Sequence, residues 1–490
     1  MTGVESIELE TPFGRLRGAR SDGVTAYRRV PYAEAPVGPR RFEMPTAAPR
    51  WDGVRDATAP GPVPPQNPSR LDVVMGTYDA EQSEDCLHLD IWTRHAEGAG
   101  APVLVFIHGG AFMTGGGSLP CYDGAVLAKE NGLVVVNITY RLGIFGFFPH
   151  AGLGELNLGL HDQVAALRWI AQAISAFGGD PQRITVIGQS AGGFSIAALA
   201  ATEHGPGLFK RAILMSAPVG IALRTVEEAR PIADSVLDVL GIGSNEVAKL
   251  RTMPVDRVFE GLRLLQTRAL GARGDIAPPF MPVLDATLLP RDPSESVQRG
   301  DARWCDMMIG VTREEYAAFS FSNPSLDELS DDALEGLIRS HIGDGAGSLL
   351  AKLRSRRAPA TPRTILGDFF SDRIITKQSL EIAGTQSRLG RNAFTYFFDW
   401  QSPHPELGAC HCIDLPFLFG NFDVWNAAAM IKGADLREMR DLSRLFRGSI
   451  AAFAEKADPN GPGLPEWPAY LSDQTVLHFD RHISASRYIA

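Results

Sequence analysis

The sequence predicts an α/β fold: a central, mostly parallel sheet with helices on both faces. Three observations carry that expectation. Continuous apolar runs at residues 102–108 and 133–139 have the composition of strands buried on both sides. Leu160, Val164, Leu167, Ala171, Ile174 and Phe177 then recur at spacings of three and four, the signature of an amphipathic helix. Finally, Ile184-Thr185-Val186-Ile187 runs into Gly188-Gln189-Ser190-Ala191-Gly192 and on into helix-forming residues 194–200. Strand, sharp turn and helix follow one another, with a serine at the apex.

The remaining elements follow in chain order. Residues 4–10 and 13–18 alternate and suggest an antiparallel pair about Thr11-Pro12, whereas proline-rich 30–39 and 59–65 read as loops. A large loop ends in a strand at 84–92, with Leu87, Leu89 and Ile91 facing inward. After the amphipathic helix, Gly178-Gly179 is a stop and Asp180-Pro181 a turn. A strand follows at 212–216. Residues 225–270 are helical but irregular and read as an insertion. Residues 304–312 return to strand and end in Arg313-Glu314-Glu315-Tyr316. Residues 325–390 read as several further inserted helices, and 393–400 as a late aromatic strand leading to Gly408-Ala409-Cys410-His411. A long helix spans about 435–457, with Leu436, Met439, Leu442, Phe446, Ile450 and Phe453 on one face, and residues 467–479 cap the sheet edge. The composition is even, without linker, repeat or low-complexity tract, so one domain over residues 1–490 is expected.

Hydrophobic residues make up 44% of the chain, enough for a large core. A net charge of −10 argues against a nucleic-acid partner and an anionic membrane surface. No apolar run is long enough to cross a bilayer. Five cysteines form no disulfide framework, and residues 1–6 lack a basic segment leading into an apolar one. Both lead us to expect a reduced, cytoplasmic setting.

Ser190 at the apex of G-x-S-x-G is a candidate nucleophile; the bland alternative is an ordinary Gly-Ser turn. A serine hydroxyl needs a base, and the base needs a group that orients it. Those partners are expected after later strands. His404 and His411 follow the 393–400 strand; His404 lies between two prolines, and His411 is the stronger candidate. The acid remains open between Glu314 and Glu315, with Asp285 as runner-up. Backbone N–H groups of Gly109-Gly110-Ala111 and of Ala191 are the expected oxyanion donors.

These residues resemble the type-B carboxylesterases, the family of cholinesterases and bacterial p-nitrobenzyl esterases. The pieces that carry the resemblance are Glu84-Asp85-Cys86-Leu87, residues 106–112, Tyr140-Arg141-Leu142-Gly143, residues 177–193, residues 310–315, residues 408–411 and Phe419-Gly420. The resemblance implies an α/β-hydrolase fold, helical insertions covering the active site, and hydrolysis of small carboxylic esters without a cofactor. It implies Ser190 as nucleophile, Glu315 rather than Glu314 as acid, and His411 as base. Gly110, Ala111 and Ala191 form the oxyanion hole, Ser216 lies behind the triad, and Phe280 lines the acyl pocket.

Three departures sharpen it. Gln189 stands where the family often has Glu, which argues against cationic, choline-like substrates and for uncharged short- to medium-chain esters. Pro64 replaces the cysteine that pairs with the Cys86 position in secreted relatives, so Cys86 is expected to be a free buried thiol. Cys410 and Cys412 flank His411, but three ligands without a fourth are a weak zinc signal, and no metal is expected. Two rival readings are an amide, carbamate or lactone hydrolase with the same residues, and a non-catalytic interaction protein.

Overall fold

The computed structural model describes residues 4–269, 277–470 and 473–488. Thirteen strands join one sheet. They are β1 (Glu5–Thr11), β2 (Gly14–Ser21), β3 (Val24–Pro31), β4 (Val54–Asp56), β5 (His88–Thr93), β6 (Ala101–Ile107) and β7 (Val134–Ile138). The series continues with β8 (Gly179–Gln189), β9 (Arg211–Met215), β10 (Asp306–Thr312), β11 (Ala393–Phe398), β12 (Thr475–Phe479) and β13 (Ser484–Arg487). The order across the sheet is β1-β2-β3-β5-β7-β6-β8-β9-β10-β11-β12-β13, with β4 beside β2. From β7 to β12 every neighbour is parallel, and antiparallel strands flank this block on both sides.

Alternate residues of the central strands feed opposite faces, as the period of two requires. Val103, Val105 and Ile107 of β6 join one hydrophobic cluster. Leu104 and Phe106 join the other. Helix α1 (Leu158–Ala173) places Leu160, Val164 and Leu167 in the first cluster and continues as a 3-10 turn at residues 174–177, which stops at Gly178, whose φ is 83°. The other face is covered largely by Phe446, Ile450 and Phe453, which lie on a long helix at residues 436–456. Helix α2 (Ala191–Ala200) is buried along its whole length.

The 225–270 region holds helices α3 (Val226–Leu240) and α4 (Val255–Ala269); residue 270 lies outside the described residues. Between 325 and 390 lie α5 (Asp331–Ile342), α6 (Ala346–Arg356), α7 (Pro362–Ser371) and α8 (Lys377–Arg388). Leu334, Ile338, Leu350, Ile365 and Phe369 of α5–α7 form a hydrophobic cluster of their own. By contrast, α8 sends Leu380, Ile382 and Ala383 into the main core. The inserted body therefore ends with α7, and α8 is a helix of the sheet layer.

Four strands differ from the sequence reading: the short β4 and β13 were not expected, β13 rather than residues 467–479 forms the sheet edge, and β3 and β5 depart as follows. β3 was hidden by adjacent Arg28 and Arg29, which sit at a bulge where Arg29 has a φ of 52°. β5 is buried on both faces rather than one. Its polar residues are partly satisfied internally: Asp90 accepts the Arg29 N–H at 2.9 Å, and His88 bonds the Pro62 carbonyl at 2.9 Å.

Two ion pairs, one buried and one partly buried, explain motif residues with no place in the chemistry. Arg141 makes a bidentate pair with Asp162 at 2.8 and 2.7 Å. Arg41 does the same with Glu84 at 2.6 and 2.5 Å. The Asp162 carboxylate is fully buried. Replacing Arg141 by Met should therefore leave it uncompensated and cost about 3–5 kcal/mol, measured by urea denaturation. An unchanged midpoint would show that Asp162 finds another partner.

Candidate active site

The strand order reverses around β6, with β7 on one side and β8 on the other. In such sheets the crevice lies beyond the carboxyl ends of the strands. The candidate residues gather there, after β6, β8, β10 and β11.

Ser190 occupies a tight elbow between β8 and α2, with φ 57° and ψ −123°. An L-residue held there stores about 1–3 kcal/mol of backbone strain, so its surroundings must enforce it. They do so through glycine. A Cβ on Gly192 would lie 1.9 Å from the Ile107 carbonyl oxygen, and one on Gly188 2.5 Å from the Gly192 carbonyl carbon. The Ser190 N–H donates to the Met215 carbonyl at 2.8 Å, anchoring the elbow to β9.

The loop after β6 lies against this serine: a Cβ on Gly109 would sit 3.0 Å from that of Ser190. Gly110 and Ala111 both have positive φ, 108° and 56°. Among the described residues, the N–H groups of Gly110, Ala111 and Ala191 have no acceptor. Three free donors beside one strained serine, the third at a helix N-terminus, form a place where negative charge is stabilised.

His411 and Glu315 are both almost completely buried. His411 Nδ1 lies 2.6 Å from Glu315 Oε2, and Glu315 Oε1 accepts the Thr312 N–H at 2.8 Å. With Nδ1–H directed at the carboxylate, Nε2 carries the lone pair. That nitrogen is 3.1 Å from the side-chain amide of Gln189. Ser190 Oγ makes no hydrogen bond to it in this resting arrangement; such bonds commonly tighten only with substrate bound.

The other sequence candidates separate cleanly. Glu314 turns away from His411 and pairs with Arg357 at 2.8 Å. Asp285 closes its own loop through the N–H groups of Thr287, Leu288 and Leu289. His404 packs edge-on against Phe321. Ser216 is fully buried immediately after Met215, the residue that anchors Ser190. Phe280 is buried against Phe148, with ring centroids 6.3 Å apart. Cys86 is a free, buried thiol, as expected. Burial pushes the Cys410 and Cys412 thiols well above their ordinary range.

Two further residues of the site escaped sequence reasoning. Phe319 lies with its ring centroid 5.0 Å from that of His411, and 42% of it is exposed, so it forms an apolar wall over that imidazole. Asp414 is fully buried, and neither of its oxygens has a hydrogen-bond partner among the described residues. A charged residue inside the otherwise apolar 413–419 run was the available signal. Burial first, and then the nearby charge of Glu315, raise the Asp414 carboxyl to about 7.

The fold defines an α/β-hydrolase. The Carboxylesterase family profile matches residues 5–489. Phenmedipham hydrolase of Pseudarthrobacter oxydans is 37% identical, over 95% of this chain and 93% of its own length. Para-nitrobenzyl esterase of Bacillus subtilis is 36% identical, over 97% and 95% respectively. The crystal structure of the Geobacillus stearothermophilus carboxylesterase EST55 superposes with a TM-score of 0.86 at 36% identity, covering 98% of this chain and 97% of that one. The chain belongs to the carboxylesterase family, and it is a carboxylic ester hydrolase.

Asp414 provides a test of the site's electrostatics. A carboxyl raised to about 7 in the folded protein ionises near 4 when unfolded. Between those values the folded state binds the extra proton, so Asp414 removes stability as pH rises through that window. Asp414→Asn does not titrate. Its stability relative to the parent should therefore be greater at pH 8 than at pH 5 by about 1–3 kcal/mol in denaturant melts. A pH-independent difference would place the ionisation elsewhere.

Proposed function

We propose that the chain hydrolyses uncharged, short- to medium-chain carboxylic esters through an acyl-enzyme formed on Ser190. His411 removes the hydroxyl proton as Ser190 Oγ attacks the ester carbonyl. Glu315 fixes the imidazole tautomer and stabilises the cation that forms. The carbonyl oxygen gains negative charge facing the N–H groups of Gly110, Ala111 and Ala191. As the tetrahedral intermediate collapses, His411 returns its proton to the departing alkoxide. Water then enters, gives a proton to His411 and attacks the acyl carbonyl; as this second intermediate collapses, His411 returns the proton to Ser190 Oγ and the carboxylic acid leaves.

The observation that carries this reading is the 2.6 Å bond between the buried His411 and Glu315, beside a serine in a strained elbow. Gln189 must yield Nε2 to the serine before attack, because its amide occupies that position at rest. The neutral Gln189 amide and the apolar face of Phe319 support an uncharged substrate, with Phe280 proposed on the acyl side. Ser216 supports the elbow from behind. A cytoplasmic setting accords with five free, buried cysteines. One domain over residues 1–490 accords with a sheet that joins strands from β1 to β13.

Ser190→Ala should abolish hydrolysis of p-nitrophenyl esters, a loss of at least about three orders of magnitude, with an unchanged circular dichroism spectrum. An organophosphonate should add once by intact mass and map to Ser190. Retained turnover, or labelling elsewhere, sinks the assignment. Kinetics on matched pairs test the substrate class: a choline ester should show a lower kcat/KM than its uncharged isostere. On a matched amide, kcat/KM should fall much further.

A further inference from the structure

Glu314 neighbours the proposed acid but faces the other way. Its N–H donates to the Ala409 carbonyl at 2.9 Å, and its Oε2 accepts the Ala409 N–H at 2.7 Å. One residue thus binds both polar backbone groups of another, two positions before His411. A parallel bridge between Glu314 and Cys410 continues the contact. The loop is shaped around this carboxylate: Gly408 has a φ of +53°, and a Cβ there would lie 2.9 Å from Glu314 Oε2. Gln401 donates to the same oxygen at 3.2 Å. Arg357, between α6 and α7, donates to the other oxygen at 2.8 Å and lies 3.5 Å from Asp368.

Several other backbone hydrogen bonds of the His411 loop stay within it. Ser402 N–H bonds Gly408, Leu407 N–H bonds His404, and Ile413 N–H bonds Cys410. Such bonds set the loop's shape but not its position over β10. The Glu315 contact aims the imidazole ring, yet where the ring stands depends on its backbone. Glu314 is the tie from the acid's strand to that backbone.

We propose that Glu314 is a positioning residue for the base. It holds the His411 loop in register with Glu315, and Arg357 of the inserted helices neutralises the carboxylate that does so. This rests on the Ser190–His411–Glu315 reading and adds to it. Displacing a reacting group by about 1 Å can cost on the order of 100-fold in rate, which sets the scale of the expected effect.

The test compares Glu314→Ala, Glu314→Gln and Glu314→Asp on p-nitrophenyl esters. Turnover is expressed per site that reacts with a phosphonate, so unfolded protein is not counted. Glu314→Ala should lower kcat about 10- to 100-fold while KM changes less than about 2-fold. Glu314→Gln should recover most of that loss, because its amide oxygen still reaches the Ala409 N–H. Glu314→Asp keeps the charge but is one methylene short, and it should resemble Glu314→Ala. The reverse order, with Asp active and Gln impaired, would show that the ion pair with Arg357 is what matters and would overturn the proposal. Equal kcat across the series overturns it as well. If Glu314→Ala does not accumulate, the Gln–Asp comparison decides. An active Ser190→Ala protein refutes the relay itself. A flat Glu314 series with Ser190→Ala inactive refutes only the positioning role.

Discussion

The approach of Gly192 to the end of β6 is the constraint on which the site depends. At that distance no side chain fits between the α2 N-terminus and the Ile107 carbonyl. Helix α2 can therefore press against the strand that delivers Gly109, Gly110 and Ala111. The consequence is geometric. The Ala191 N–H and the two N–H groups of the neighbouring loop end up around the same serine. Strain at Ser190 and at Ala111 is the cost of that convergence, and the buried packing of β6, β8 and α2 maintains it.

A second division of labour follows from two adjacent carboxylates. The chain turns as it leaves β10, and the two side chains diverge. Glu315 turns inward to His411, while Glu314 turns to the loop backbone and to Arg357. Each carboxylate is held by its own set of donors. The inserted helices bear on the catalytic end of the sheet at this point. Tyr316, one residue past Glu315, packs on Phe370 of α7 at 4.8 Å and donates its N–H to Ser371.

Much of this was legible in the sequence, and what was not has a common cause. The parallel strands announce themselves because burial on both faces leaves continuous apolar runs, as in β6 and β7. The elbow is legible because glycine spacing records a steric requirement. What failed were features set by long-range pairing. β3 carries two arginines because their partners, Asp85, Asp90 and Asp123, arrive from far along the chain. The choice between Glu314 and Glu315 came from family resemblance, since spacing alone left them equivalent. Phe319 carries no periodic signal: it stands on the short helical turn Ala317–Ser320, and only the fold brings its ring to His411.

The handling of buried charge gives the neutral Gln189 a physical reason. Three carboxylates lie within this region, and each is treated differently. Glu315 has His411 and the Thr312 N–H, and Glu314 has Arg357 and the Ala409 N–H. For Asp414 burial outweighs the help of Tyr396 and of the nearby His411, and its affinity for a proton rises instead. His411 is the one basic group that Glu315 and Asp414 share, and the residue at 189 touches it directly. A glutamate there would be a further anion competing for a single imidazole, with burial opposing its ionisation. An amide adds no such anion and contacts His411 as a neutral hydrogen-bonding group.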